Sequence, residues 1–235
     1  MMLHILHCDE ALLAIAKPSG LAVHPTRGVT GATLVDEVRI HLGTSTVYPI
    51  HRLDRGTSGV IVFAQSPETA RLLQVQLTSG EARKTYLTLV RGEPPSAGLI
   101  DHPIPRRHEG PPVAARTTFR TIETRDLEPR TLSLVMAHPE TGRRHQVRRH
   151  LKHLNHPVIG DSNYGKGPLN RAIAERYGLS RLALHAWSLC LHHPTHGTPL
   201  QLTAPLPTDL AAPLLAMGFS PVTLTDPSGG DRSCI

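Results

Sequence analysis

A chain of 235 residues, 39% of them apolar, is long enough to bury a full core and is read as one domain. No apolar run approaches the roughly 18 residues needed to cross a bilayer, which excludes a transmembrane helix, and residues 1–7 lack the features of a secretory signal, which gives a soluble protein with a cytoplasmic address. Lys and Arg outnumber Asp and Glu by 25 to 19, a formal charge of +6 that suits a polyanionic partner and gives no hint of a membrane.

The 21 prolines and 19 glycines punctuate the chain often enough to favour many short strands, and with the helical stretches below they indicate an α+β fold. Residues 12–16 and 21–23 are apolar and flank Lys17-Pro18-Ser19-Gly20, a turn sequence, so the chain opens as a hairpin. Over residues 30–42, Leu34, Val35, Val38 and Leu42 recur at helical spacing behind Thr30 as N-cap. Ser66-Pro67 starts a second helix through Leu72, Leu73 and Leu77, and Gly80 stops it. Between the helices, Val60-Ile61-Val62-Phe63 predicts a buried strand and leaves residues 51–58 as a loop feeding it. Tyr86 to Val90, the alternation of Leu132, Leu134 and Met136, and Leu182, Leu184 and Ala186 predict further strands of a large mixed sheet. The tail, 219–235, is rich in Pro, Gly, Ser and Asp and is expected to be disordered, which sets the domain at 1–218.

Two segments carry chemistry. In His51-Arg52-Leu53-Asp54-Arg55-Gly56-Thr57-Ser58-Gly59 a carboxylate lies between two arginines, whose charge keeps it ionised and able to act as a covalent nucleophile. Taken alone, an Arg-Asp-Arg cluster is more often a structural ion-pair network, and the spacing does not separate the two. In Thr141-Gly142-Arg143-Arg144-His145-Gln146-Val147-Arg148-Arg149-His150-Leu151, the residues Val147, Leu151 and Leu154 form one apolar stripe of a helix whose other faces are basic. Its arginines can contact phosphates, or one near the stripe can reach inward to a buried carboxylate; a solvated charged face is the bland alternative.

Together the two segments resemble the pseudouridine synthases of the RluA family, with its HRLDxxTSG around a catalytic aspartate and TGRxHQ(L/I)R on a later helix. Lys84-Thr85-Tyr86 matches the family K-x-Y, and Arg181-Leu182-Ala183-Leu184-His185-Ala186 resembles RLxLHA, all in family order. Gly56 at a variable place and Val147 for Leu or Ile are small departures.

The resemblance implies the family's catalytic fold, a mainly antiparallel sheet flanked by helices, and an RNA pseudouridine synthase that needs no metal or organic cofactor. It makes Asp54 the nucleophile, Arg148 the arginine paired with it, and Tyr86 the group against the base that accepts or relays a proton. Arg52 enters the RNA helix as the uridine leaves, Leu184 packs in the base pocket, and Arg143, His145 and Gln146 serve substrate binding. Within the family, TGRRHQVRRHLKHLNHPVIGDSNYG points to the subgroup acting on tRNA near the acceptor and T stems, at uridine 65, with ribosomal RNA as the alternative substrate. The hairpin begins too near Met1 for an S4-like RNA-binding domain, and no obligate protein partner is evident. Gly160-Asp161 and Tyr164-Gly165 resemble a family turn, read as structural, and Trp187 is read as core.

Sixteen histidines raise a metal reading, with His150, His153 and His156 or His192, His193 and His196 as candidate ligands. No HExxH, acidic pair or cysteine partner accompanies them, so a surface or phosphate-contacting role is preferred. Cys8, Cys190 and Cys234 are too few and scattered for a disulfide framework and are read as reduced thiols. A non-catalytic RNA-binding module is the second rival, but it has no use for an ionised Asp in a basic pocket.

Overall fold

The first turn of the chain is set by Asp9, whose Oδ1 accepts from the N–H groups of Ala11 and Leu12 at 2.8 and 2.9 Å. A computed structural model describes residues 2–25, 31–105, 110–220, 223, 225 and 226. In chain order the first elements are β1 (Ile5–Cys8), β2 (Leu12–Lys17), α1 (Leu34–Leu42), β3 (Tyr48–Pro49), β4 (Ser58–Ala64) and α2 (Pro67–Ser79). β5 (Arg83–Arg91), β6 (Ala97–Asp101), β7 (Ile104–Pro105), β8 (Pro112–Val113), β9 (Arg116–Arg125) and β10 (Leu132–Pro139) follow. Last come α3 (Gln146–His153), α4 (Gly167–Tyr177), β11 (Leu184–His192), β12 (Pro199–Thr203) and α5 (Thr208–Ala216). They fall into two compact units, Met1–Arg83 with Ala186–Pro205, and Lys84–His185 with Leu206–Arg232.

In the first unit the strands run in the order β1-β2-β4-β11, with β3 beside β4 and β12 beside β11. The hairpin expected across Lys17-Pro18-Ser19-Gly20 is instead β1 against β2, antiparallel. Residues 21–23 form no strand, because the carbonyls of Ala22 and Val23 take up the first N–H groups of α1, from Leu34 and Val35 at 2.9 and 3.1 Å. That helix is capped by Thr33, whose N–H and hydroxyl both donate to the Asp36 carboxylate at 2.8 and 2.6 Å; the expected cap, Thr30, lies outside the described residues. α2 has the ends read from sequence, Ser66 accepting from the Thr69 N–H and Gly80 in the left-handed conformation. One apolar cluster joins Leu12 and Ala14 of β2, Val60, Val62 and Ala64 of β4, and Ala70 and Leu73 of α2. The alternate residues Leu13, Ile15, Ile61 and Phe63 are buried as well, so both faces of these strands are covered, which is why β4 reads as an unbroken apolar run.

In the second unit β5, β10, β9 and β6 are neighbours in that order, all antiparallel, and β7 pairs with β8. α3 packs against β9 and β10, and α4 against α5. The strand expected from Leu182 begins at Leu184. Ala183 just before it donates to the Ile159 carbonyl and accepts from the Leu89 N–H, while Ile159 donates to the Leu89 carbonyl, at 2.9 to 3.1 Å. This lacing fixes the chain at Gly160, where φ is 76° and an added Cβ would stand 1.9 Å from the Arg181 carbonyl oxygen.

Phe219 is buried and the Ser220 N–H reaches the Glu123 carboxylate, so packed chain runs past the expected boundary at 218; most of the rest of the 219–235 tail lies outside the described residues. Cys8 is a free, exposed thiol, but Cys190, buried in β11, is disulfide-bonded, a correction to the reduced-thiol reading. Trp187 is buried, as expected. Among the described residues no helix is long and apolar enough to cross a membrane.

Candidate active site

Asp54 belongs to the irregular segment between β3 and β4, and its neighbours on either side are anchors. Leu53 is buried, as are Thr57, Ser58 and Gly59, while the Asp54 side chain stays half-exposed. The Thr57 N–H closes a turn on the Asp54 carbonyl at 3.0 Å. Gly59 has φ 114°, and a Cβ there would meet the Ala186 carbonyl oxygen at 2.1 Å, so only glycine lets the chain enter β4 beside β11.

The loop is also tied to the Lys17-Pro18-Ser19-Gly20 turn. Gly20 and Arg55 exchange two bonds of 2.8 Å, Gly20 N–H to the Arg55 carbonyl and Arg55 Nε to the Gly20 carbonyl, and Ser19 Oγ donates to the Gly56 carbonyl at 2.8 Å. Lys17 is 1% exposed, and its ammonium donates to the carbonyls of Pro18, Leu21 and Arg55 at 2.8, 2.9 and 3.2 Å. Arg52 is exposed and lies near His24, whose pKa is pushed down by burial first and by the charges of Arg52 and Arg39 next.

Tyr86 and Arg148 belong to the second unit. Tyr86 stands half-buried on β5 opposite Ala137 of β10, two residues after Lys84, whose pKa burial pushes down. Arg148 is a buried residue of α3, and it meets a partner that the sequence reading passed over: its Nε and Nη2 donate to Oδ2 and Oδ1 of Asp161, both at 2.8 Å. Burial raises the Asp161 pKa, but the hydrogen bonds and charge of Arg148, with the N–H groups of Tyr164 and Asn163, outweigh it and hold the carboxyl below its usual range. The Tyr164 ring lies 5.3 Å from the Arg148 guanidinium carbon, and its hydroxyl is 3.1 Å from His145 Nδ1.

The remaining site residues divide. Gln146, expected to bind substrate, is buried and fully committed to the protein. Its carbonyl accepts from Thr141 Oγ1 and the Arg143 N–H, and its amide donates to the Arg116 carbonyl and Thr117 Oγ1. It shapes the loop before α3 and has no group left over for a ligand, which corrects that reading. His145 holds the left-handed conformation, φ 55°, that starts α3. Arg143 is half-buried with Nε on the Ala114 carbonyl at 3.1 Å, whereas Arg144 is exposed and Arg149 half-buried. Leu184 is buried at the start of β11.

The histidines correct the surface reading in part. His150 is fully buried, donating to the His102 carbonyl and accepting from Thr117 Oγ1, and burial above all pushes its pKa down. His153 is exposed and stacked on His102. Among the described residues one group is close enough to share an ion, His7, Asp9 and His193. Its geometry is that of a hydrogen-bonded tie. Asp9 Oδ2 accepts from Nε2 of His7 at 2.5 Å and of His193 at 2.9 Å. The Nδ1 of His193 accepts from the Thr195 and His196 N–H groups at 3.3 Å, which leaves the proton on Nε2 and no lone pair there for a metal.

The model of the RNA pseudouridylate synthase family matches residues 11–153, which contain Asp54, Tyr86 and Arg148. The chain therefore belongs to this family, in its RluA type, and is an isomerase acting on uridine in RNA. It is 37% identical over 222 residues to tRNA pseudouridine synthase C of Yersinia pestis, covering 86% of each chain. It is 36% identical over 225 residues to ribosomal large subunit pseudouridine synthase D of Xanthomonas campestris pv. campestris, covering 88% of this chain and 67% of that one. The solved structure of human RNA pseudouridylate synthase domain containing 4 matches with a TM-score of 0.74 and 28% identity over 92% of this chain and 93% of that one. The α+β fold with a mixed, mostly antiparallel sheet and flanking helices is the one expected from the sequence.

Proposed function

We propose that the chain converts one uridine of tRNA, uridine 65 in the acceptor and T-stem region, to pseudouridine through a transient covalent bond to Asp54. The observation that supports this is the setting of Asp54: a half-exposed carboxylate between the exposed Arg52 and Arg55, on a loop held by buried Leu53, Thr57, Ser58 and Gly59 and tied by main-chain hydrogen bonds. The base must leave its stack to reach any such group, and Arg52, exposed beside Asp54, fills the gap left in the RNA helix. The bond from N1 of uracil to C1′ of the ribose breaks, Asp54 holding either the sugar or the ring. The freed base turns, C5 bonds to C1′, and the proton on C5 leaves through Tyr86. Arg148 pairs with the Asp54 carboxylate, and Leu184 lines the base pocket. Arg143, Arg144 and Arg149 meet phosphates, and no metal, cofactor, membrane or obligate protein partner takes part. The reaction belongs in the cytoplasm, where tRNA is processed.

The tRNA reading is supported by the likeness to tRNA pseudouridine synthase C of Yersinia pestis. A ribosomal RNA substrate is the second reading, favoured by near-equal identity to ribosomal large subunit pseudouridine synthase D. Tritium release from [5-³H]uracil in tRNA and in ribosomal RNA, followed by mapping of the modified position, separates them. Release from tRNA is expected; release from ribosomal RNA alone overturns the tRNA substrate and keeps the chemistry. In Asp54→Ala, release should vanish while RNA affinity, which comes mainly from phosphate contacts, persists. Turnover surviving in that variant removes Asp54 from the mechanism.

A further inference from the structure

Two exposed histidines of the second unit, His102 and His153, stand face to face. Their ring centroids are 3.8 Å apart and the rings lie 15° from parallel. They come from distant stretches of chain: His102 is in the short link between β6 and β7, and His153 is the last residue of α3. The main chain at His102 is pinned on both sides, its N–H donating to the Ala115 carbonyl at 3.2 Å and its carbonyl accepting from Nε2 of the buried His150 at 3.0 Å. His150 is fixed in turn through Nδ1 by Thr117 Oγ1 at 2.8 Å, and that hydroxyl oxygen accepts from the Gln146 amide at 3.0 Å. A buried series of polar groups thus sets where His102 stands, against a helix residue one turn past Arg149.

The charges around the pair are nearly all of one sign. From α3 it meets the half-buried Arg149, with Lys152 exposed beside His153 and His150 buried and neutral beneath. From the strands, Asp101 precedes His102 but is taken up by Arg116 of β9 at 3.5 Å, whose other nitrogen is 3.6 Å from Glu140. Among the described residues the side chains of His102, His153 and Arg149 have no acidic partner, and their nitrogens make no hydrogen bond. Two imidazoles stacked this closely repel if both take a proton, and Arg149 adds to the repulsion. Burial first, and then the charges of His153 and Arg149, push the His102 pKa down. The pair therefore resists charge until an anion offsets its neighbours.

We propose that His102, His153 and Arg149 form a binding site for a phosphodiester of the substrate RNA, and that filling it draws a proton from solvent onto the histidine pair. Arg149 supplies a fixed charge and donors, and the two rings supply N–H groups whose charge appears only when the phosphate is present. A ring whose pKa is higher in the complex than in the free protein binds RNA more tightly as pH falls, until the free ring is protonated too. The excess of six positive charges on the chain suits the same polyanion. The proposal rests on the chain's action on RNA and holds whether tRNA or ribosomal RNA is the substrate.

The test measures Kd for tRNA and for ribosomal RNA from pH 8 to pH 5.5 at fixed ionic strength, and takes the pH and salt dependence from the RNA bound more tightly. A phosphodiester keeps its charge throughout this range, so any change in affinity reports protons on the protein. A phosphate that raises one imidazole pKa by about one unit tightens binding by about tenfold across the window. The double variant of His102→Phe with His153→Phe keeps two stacked rings that cannot take a proton. It should lose about tenfold of that tightening while its Kd at pH 8 stays within about twofold of wild type. Its log–log salt slope at pH 5.5 should also be shallower by about one. A variant that tightens in acid as wild type does overturns the proposal, as does an unchanged salt slope at pH 5.5. Tight binding to ribosomal RNA alone removes the tRNA substrate and leaves the site standing, and binding to neither RNA removes both. Circular dichroism checks folding, and His102→Gln with His153→Gln replaces the phenylalanine pair if that variant unfolds. Failure of both pairs to fold assigns the stack to stability and overturns the site.

Discussion

Thr57, three residues after Asp54, buries a hydroxyl oxygen that has no hydrogen-bond partner among the described residues. A hydroxyl taken out of water without a partner costs about 1–3 kcal/mol, and valine has the same shape without that cost. Thr57→Val should therefore stabilise the free protein by about 1 kcal/mol, a rise in Tm of roughly 2–4 °C for a chain of this size. A thermal melt decides it, and a lower Tm would mean that the hydroxyl is satisfied. Residues of this kind also mark how far the sequence could be read. Asp54, Tyr86 and Arg148 were named through the resemblance of their segments to the RluA family motifs, since residue types and spacing alone left the Arg-Asp-Arg cluster and the basic helix with structural readings as well. Asp161 was read as a turn residue because its grip on Arg148 spans the end of α3 and the left-handed Asn155, geometry that no local pattern encodes. Gln146 erred the other way: a polar residue in an Arg-rich motif looks available to RNA, and only coordinates show its amide fully occupied.

At the level of elements, the link between the Lys17-Pro18-Ser19-Gly20 turn and the Asp54 loop depends on one buried ammonium. Lys17→Met would keep the aliphatic stem and strand three main-chain carbonyls, those of Pro18, Leu21 and Arg55. A loss of about 3 kcal/mol or more is expected from the unsatisfied acceptors. The rate should fall as well, since the Arg55 carbonyl is one of the tethers of the loop carrying Asp54. Urea unfolding and tritium release measure the two, and a variant of unchanged stability would show the ammonium to be dispensable. Elements with local signals were legible: α2 has Ser66, Pro67 and Gly80 at its ends, and β4 is apolar on both faces. β9 was invisible because its sequence, RTTFRTIETR, has few apolar residues and its pairing with β6 and β10 is long-range. α4 buries only Ile173, and α5 contains Pro213, so neither shows a helical stripe. The segment 21–23 was apolar enough for a strand, but its carbonyls were needed at the start of α1.

Across the whole molecule, each compact unit contains a carboxylate whose ionised form is preferred by the fold. In the second unit it is Asp161. In the first it is Asp9, where burial works to raise the pKa but the bonds from His7, the Leu12 N–H, His193 and the Ala11 N–H outweigh it and pull it far below the ordinary value. A carboxyl depressed in the folded state adds stability that is fully present above the unfolded pKa, about 3.9 for Asp. That stability is lost as pH falls through the folded pKa. The ties at both carboxylates should therefore weaken in the same acidic window, below about pH 4, and remain intact at neutral pH. Asp9→Asn removes the share of the first unit alone, because an amide cannot ionise yet still offers an oxygen to the Ala11 and Leu12 N–H groups that form the turn. Thermal melts of wild type and variant should then show a Tm gap that is widest near neutral pH and closes steadily toward pH 2, because below the unfolded pKa the unfolded carboxyl takes up a proton that the folded one still resists. The convergence follows from the direction of the shift: a raised pKa at Asp9 would make the gap open in acid. A gap of constant size from neutral pH to pH 2 would mean that charge at Asp9 contributes nothing, and that its two histidines are held by shape and by bonds to a neutral group.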